Sequence, residues 1–172
     1  MDVFEAIKNR RSIREFDPNK EITDQQIEKL LEATRWAPSA GNLQSYYFIV
    51  IKDKDAKEEI ARAVSNQDFI AQAPVVIISC ADLERSASRY GQRGVSLYAI
   101  QDATIALQNL WLQATKMGLG AVWIGAFNEE EVSNILNLSS NLRPIAILPL
   151  GYPAESPEAP PRRSIKEVSR KI

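Results

Sequence analysis

Residues 95–117 constrain the fold of this chain more than any other stretch. Leu97, Ile100, Ala103, Thr104, Leu107, Leu110, Trp111 and Ala114 recur at helical spacing in a segment rich in Ala, Leu and Gln. The pattern is that of a central buried helix, long enough to lie across a whole sheet. Gly118 stands where such a helix needs its stop.

Around this segment helices and strands mix, without the tight alternation of repeated βαβ units. Residues 2–10 read as a first helix with Val3, Phe4 and Ile7 on one face. Thr23-x-x-Gln26 is a capping box, and Ile27, Leu30, Leu31, Thr34 and Trp36 carry a second helix to Ala37-Pro38, where proline ends it. Residues 46–51 and 74–80 are apolar and β-branched and read as buried strands; 144–150 is a third, and 120–125 a short strand running into Gly125. Residues 53–65 look helical and charged, and Asn128 caps a helix through Leu136. The tail, 151–172, holds Pro153, Pro157, Pro160 and Pro161, which make it extended and unable to pack alone, as in a segment that lies on another subunit. The expectation is one α+β domain over 1–172, a small sheet with helices packed on it.

Composition removes whole classes of chemistry. The chain has 172 residues and no histidine, so Ser-His-Asp and Cys-His devices are impossible, and so are histidine-rich zinc sites. Cys80 is the only cysteine, which rules out a Cys-only metal site and an intrachain disulfide and fits a reducing compartment. No metal is expected. No stretch approaches the ~18 consecutive apolar residues of a membrane span, and no secretory pattern opens the chain, so a cytoplasmic protein is expected. The net charge of −1, without an extended basic face, argues against nucleic acid.

Against that balance, local basic clusters stand out. Arg10-Arg11-Ser12-x-Arg14 packs three guanidinium groups and a hydroxyl into five positions, and Arg162-Arg163 lies near the other end. Guanidinium forks bind phosphate bidentately, so one small anionic ligand is a reading to set beside a solvated basic turn. In Pro38-Ser39-Ala40-Gly41-Asn42-Leu43-Gln44, Asn42 and Gln44 offer amide donors and acceptors just before a buried strand, as a flat heterocycle would require; a plain helix-to-strand connection is the alternative. Gly118-Leu119-Gly120 through Trp123-Ile124-Gly125 follows a helix and precedes a strand, so it is not a dinucleotide fingerprint. There Gly125 could let backbone approach a planar ring, or simply permit a turn. Trp111 and Trp123 read as core or pocket lining. Tyr90, before Gly91-Gln92-Arg93-Gly94, reads as part of a glycine-bounded loop. Asn66-Gln67 reads as a ligand-facing polar pair or a helix cap. Cys80 reads as inert packing, and Asp102 as a carboxylate partnered by a nearby arginine.

Taken in order, Arg10-Arg11-Ser12-x-Arg14-x-Phe16, Ala37-Pro38-Ser39-x-x-Asn42-x-Gln44, Gly118-Leu119-Gly120 leading to Trp123-Ile124-Gly125, Gly151-Tyr152-Pro153 and the closing arginines resemble the nitroreductase family of FMN-dependent oxidoreductases. The likeness spans essentially the whole chain. It implies an α+β sandwich with a small, mostly antiparallel sheet, an intimate homodimer with FMN at the interface, and the tail on the partner subunit. It also implies that Arg10, Arg11, Ser12 and Arg14 hold the phosphate and ribityl end, joined by Arg162 or Arg163. Pro38, Ser39, Ala40, Asn42 and Gln44 would approach from the other subunit, Trp123, Ile124 and Gly125 would face the ring with backbone, and Gln67 matches a ring-contacting region. The chain departs from many members in Ser39-Ala40, in Ser45-Tyr46 and in having no acidic residue beside Gly125.

The activity so implied moves electrons from NADH or NADPH to nitroaromatics, quinones or similar planar acceptors, in ping-pong fashion. The flavin performs hydride transfer, so no side chain need be catalytic. Two rivals are a flavin enzyme of the same fold with another reaction and a non-catalytic module that binds FMN or a nucleotide.

Overall fold

The computed structural model describes residues 1–65 and 67–172. Its centre is an antiparallel sheet in the order β1-β2-β4-β3, made of β1 (Tyr46–Ile51), β2 (Val75–Asp82), β3 (Gly120–Ala121) and β4 (Leu142–Gly151). The helices are α1 (Val3–Asn9), α2 (Asp24–Arg35), α3 (Lys54–Ala63), α4 (Phe69–Gln72), α5 (Leu83–Arg93), α6 (Ala99–Lys116), α7 (Glu129–Ile135) and α8 (Ile165–Val168). Among the described residues no helix is long and apolar enough to cross a membrane.

Helices cover the sheet on both faces, which explains why β2 is apolar without alternation. Successive side chains of a strand point to opposite faces. Val76, Ile78 and Cys80 therefore pack with Ile60, Ile70, Val132 and Ile147, from α3, α4, α7 and β4. Val75 and Ile77 pack with Leu30, Leu107, Leu110, Leu148 and Leu150, from α2, α6 and β4. Each fully buried Ile or Leu contributes about 1.5–3 kcal/mol, so these two clusters hold the three layers together. The central helix forms as its periodicity requires: α6 touches all four strands, and Gly118 ends it with φ +75°. The Cys80 thiol is fully buried, and burial pushes its pKa up to about 12, the state of an unreactive packing residue.

Four features differ from the sequence expectation. The strand expected over 120–125 is bonded only at Gly120–Ala121, then returns at Ile124, which exchanges two hydrogen bonds with Ile147 at 2.9 and 3.0 Å. The pairing Gly120↔Gly151, Ala121↔Leu150 and Ile124↔Ile147 keeps one register, and it places Val122 opposite Pro149. Proline has no N–H to give, so the ladder skips that pair. Second, the residues around Tyr90 form α5 instead of a loop, broken at Gly91. Third, Ile165–Val168 adds a turn of helix to the tail. Fourth, the apolar face of α1 points outward. Only Ala6 of that helix is buried, while Val3, Phe4 and Ile7 are exposed, and so is Trp36, at 80% of its surface.

Candidate functional site

The arginine segment is held in place mainly through its backbone. Arg10 closes α1 with its N–H on the Ala6 carbonyl, and Ser12 then pairs with Ala121 at the β3 edge through Ile13 N–H donating to Ala121 O at 3.0 Å. Farther on, the chain lies antiparallel to the residues that leave β4. Asp17 N–H donates to Tyr152 O at 2.8 Å, Ala154 N–H to Glu15 O at 2.9 Å, and the amides of Arg14 and Glu15 share one oxygen of Glu155. The two ends of the chain thus run together.

Close approach of the segment depends on Gly120. A Cβ there would sit 2.7 Å from Ile13 Cγ1, well inside contact distance. The Gly120→Ala protein is expected to lose about 1–3 kcal/mol through overpacking, read as a lowered urea midpoint at unchanged m-value.

Electrostatics single out Arg10. Its guanidinium is half-buried, 4.3 Å above the Trp111 ring on α6, and its Nη1 is buried without a hydrogen-bond partner. Burial, then the charges of Arg162 and Arg11, hold its pKa below the ordinary arginine value. Arg162 is therefore near enough to act on Arg10 from the far end of the chain. A half-buried cation with an orphaned N–H and two like charges beside it is an unpaired site for an anion. Arg11 is partly occupied, because its Nη1 donates to Lys8 O at 2.7 Å and to Arg10 O at 2.9 Å. Arg163 turns away to Glu167 O, and Arg14 is exposed.

Trp123, Ile124 and Gly125 follow β3, the strand whose Ala121 pairs with Ser12. Ile124 is buried and Trp123 half-buried, whereas Gly125 is exposed and its N–H makes no hydrogen bond among the described residues. The sheet hands over here to open backbone.

The Pro38–Gln44 loop forms a second centre. It contains a 3₁₀ turn over Ala40–Asn42, with positive φ at Gly41, Asn42 and Gln44. Ser39 Oγ accepts from Gln44 N–H at 2.9 Å, and Asp102 Oδ1 accepts from Ala40 N–H at 2.9 Å. Asp102, only 3% exposed, therefore holds loop backbone and not the arginine expected of it. Its Oδ2 has no partner, nor has the nearby Tyr46 hydroxyl, whose pKa rises through burial and then through the Asp102 charge. Pro38, Ser39, Ala40, Tyr98, Asp102 and Ile105 line an open, mostly apolar groove of ≈ 590 Å³.

One chain does not bring the two centres together. Arg10 meets α6 at Trp111 and the loop meets it at Asp102, nine residues earlier, or roughly 14 Å along the axis. Gln67 precedes α4, and its carbonyl accepts from Ile70 N–H at 3.0 Å. Asn66 lies outside the described residues. Sequence reasoning read Trp111 as core or pocket lining without placing Arg10 on it, and did not single out Tyr98, a wall of the groove.

Comparison with known proteins follows this geometry. A model of the nitroreductase family matches residues 7–67 and 64–152. A Methanothermobacter thermautotrophicus protein provisionally named NADH dehydrogenase/NAD(P)H nitroreductase is 36% identical over 163 residues, 91% of this chain and 80% of that protein. The FMN reductase [NAD(P)H] of Bacillus subtilis is 31% identical over 175 residues, covering 94% of this chain and 70% of the relative. Among solved structures, the NADPH:FMN oxidoreductase from Vibrio harveyi complexed with NAD+ superimposes with TM-score 0.90 at 30% identity, over 98% of this chain and 76% of that one.

Proposed function

The chain belongs to the nitroreductase family and is an FMN-dependent NAD(P)H oxidoreductase, and from that premise we propose how its residues divide the work. The whole chain serves as one FMN-binding domain. Its orphaned Arg10 guanidinium carries the reading, because it is the group most in need of a phosphate. Arg10, Ser12 and Arg14 hold the phosphate and ribityl end, with Arg11 contributing the donors it does not spend on α1. Arg162 completes the cluster in preference to Arg163, whose guanidinium is turned to Glu167.

The ring edge is met by backbone. Gly125 adds no side chain, and its unbonded N–H can donate to a ring nitrogen beside Trp123 and Ile124. Pro38, Ser39, Ala40, Asn42 and Gln44 come from a second copy of the chain, because α6 keeps the two centres of one protomer apart. The homodimer buries what a single chain leaves wet: Val3, Phe4 and Ile7 of α1, Trp36, Ile105 of α6, and Ile165 and Val168 of the tail, which lies on the partner. Gln67 stays a candidate ring contact.

Bound FMN would supply the hydride chemistry, which no amino-acid side chain provides. The protein supplies orientation: the fixed cations would anchor the phosphate end, and the Gly125 N–H would donate to the ring edge and favour negative charge there. One open groove serves both substrates in turn, so donor leaves before acceptor enters. The acceptors are nitroaromatics, quinones and similar planar molecules, and the buried, single Cys80 suits the cytoplasm.

Anaerobic addition of NADH or NADPH to the yellow protein is expected to bleach its visible band, and a quinone to restore it. Initial rates against donor at several quinone levels should give parallel double-reciprocal lines. A flavin that neither nicotinamide bleaches would identify a binding module instead, and converging lines would remove the ping-pong order.

A further inference from the structure

Helix α5 carries charge for which the arrangement above has no use. Arg85 and Arg89 are one turn apart, and Gly91 (φ 54°, ψ −138°) breaks the helix before Arg93. All three are exposed, and none has a carboxylate partner among the described residues. Exposed arginines on a wet helix usually wave freely or pair with a neighbour. These do neither. The Arg89 guanidinium lies 5.6 Å from the Tyr90 ring centre, and Tyr90 meets Tyr98 edge-on, with centroids 5.0 Å apart at 89°. The Tyr98 hydroxyl accepts from Arg93 Nε at 2.9 Å. Two guanidinium groups are therefore held at either end of a pair of crossed rings.

This row rests on the loop of the second centre. Arg85 Nε donates to Leu43 O. At Gly41, where φ is +57°, a Cβ would fall 2.6 Å from Tyr90 Oη and 2.8 Å from Arg89 Nη1, so only glycine lets the row come so close. Tyr98 lines the same groove as Pro38, Ser39 and Ala40. Arg85 is spent on the loop carbonyl and positions it, while most donors of Arg89 and Arg93 stay available beside the groove.

Resting on the redox reading above, we infer that Arg89 and Arg93 form a subsite for the phosphate monoester of the exchangeable nucleotide substrate. Their forks match phosphate oxygens, and the rings that immobilise them reduce the side-chain entropy lost on binding. The subsite distinguishes NADPH from NADH if it reads the donor, and free FMN from riboflavin if it reads the acceptor.

The test uses the FMN-loaded enzyme and two pairs of substrates. In one arm NADPH and NADH are compared at fixed quinone; in the other, FMN and riboflavin are compared as acceptors. For one pair the native kcat/KM ratio is expected to favour the phosphorylated member by about tenfold or more. The Arg89→Gln/Arg93→Gln double variant should reduce that ratio at least to a fifth or so, and added salt should reduce it in the native enzyme. Arg62→Gln, an exposed arginine on α3, should leave the ratio where it was. Native ratios near one in both arms, or a preference that survives the double variant, overturn the subsite. A double variant that keeps its yellow colour, is still bleached by NADH and retains the native ratio leaves the redox reading standing while the subsite falls. A native holoprotein that neither nicotinamide bleaches defeats both.

Discussion

Replacing Arg10 by alanine is expected to weaken FMN binding by about 2–4 kcal/mol, or roughly 30- to 700-fold in Kd. The size follows from what Arg10 lacks. Its Nη1 is buried with no acceptor, and Arg162 and Arg11 press on it with like charge, so the apoprotein carries an uncompensated cation over Trp111. A phosphate relieves that penalty and gains charge-assisted hydrogen bonds at once. The same reasoning sets the sign for stability. Arg10→Met keeps a long stem on the Trp111 ring and removes the unpaired charge, so the apo variant should melt at or above the native apoprotein. The flavin absorbance of dialysed protein, titration with FMN and a thermal melt of both apo forms make the measurement. Full flavin occupancy in Arg10→Ala would show that the phosphate lies elsewhere.

Ending the chain at Pro157 is the second severe change. Every residue from Glu158 onward is exposed, so the tail adds almost nothing to the core of its own protomer, and the shortened chain should keep its far-ultraviolet circular dichroism. It should lose association. Ile165 is 81% exposed and Val168 63%, apolar surface that a lone chain leaves in water and that a partner would cover. Arg162 departs with them, taking a charge that reaches the Arg10 cluster. Monomers in analytical ultracentrifugation, with FMN affinity reduced by about tenfold or more, are the expected pair of results. A truncated protein that remains dimeric and yellow would mean that the tail neither clasps a partner nor helps to hold the phosphate.

Much of the fold was legible because it rests on local rules. The apolar period of 95–117 gave α6 and Gly118 gave its end, the Thr23–Gln26 box opened α2, and the β-branched runs marked β1, β2 and β4. What escaped depends on partners distant in sequence. The break at Val122 is caused by Pro149, which meets it only once the strands are in register. Helix α5 has too few apolar residues for a periodic signal, and its glycine mimics a loop. Asp102 accepts from a backbone N–H of a loop 62 residues away, a partner that no pattern of charged residues discloses. As for the candidate site, spacing alone marked the arginines and the amide loop as suited to an anion and a flat ring. FMN, and the sharing of one site between two chains, came from family resemblance.

The interruption opposite Pro149 removes a rung of the ladder without unpacking the sheet. In this protein the strand holds its course from Gly120 to Ile124, and a single imino acid on the neighbouring strand withholds one proton. The gap is thus an omission inside the packed layer, with Val122 still buried, and the backbone free to meet a ligand begins beyond it, at Gly125.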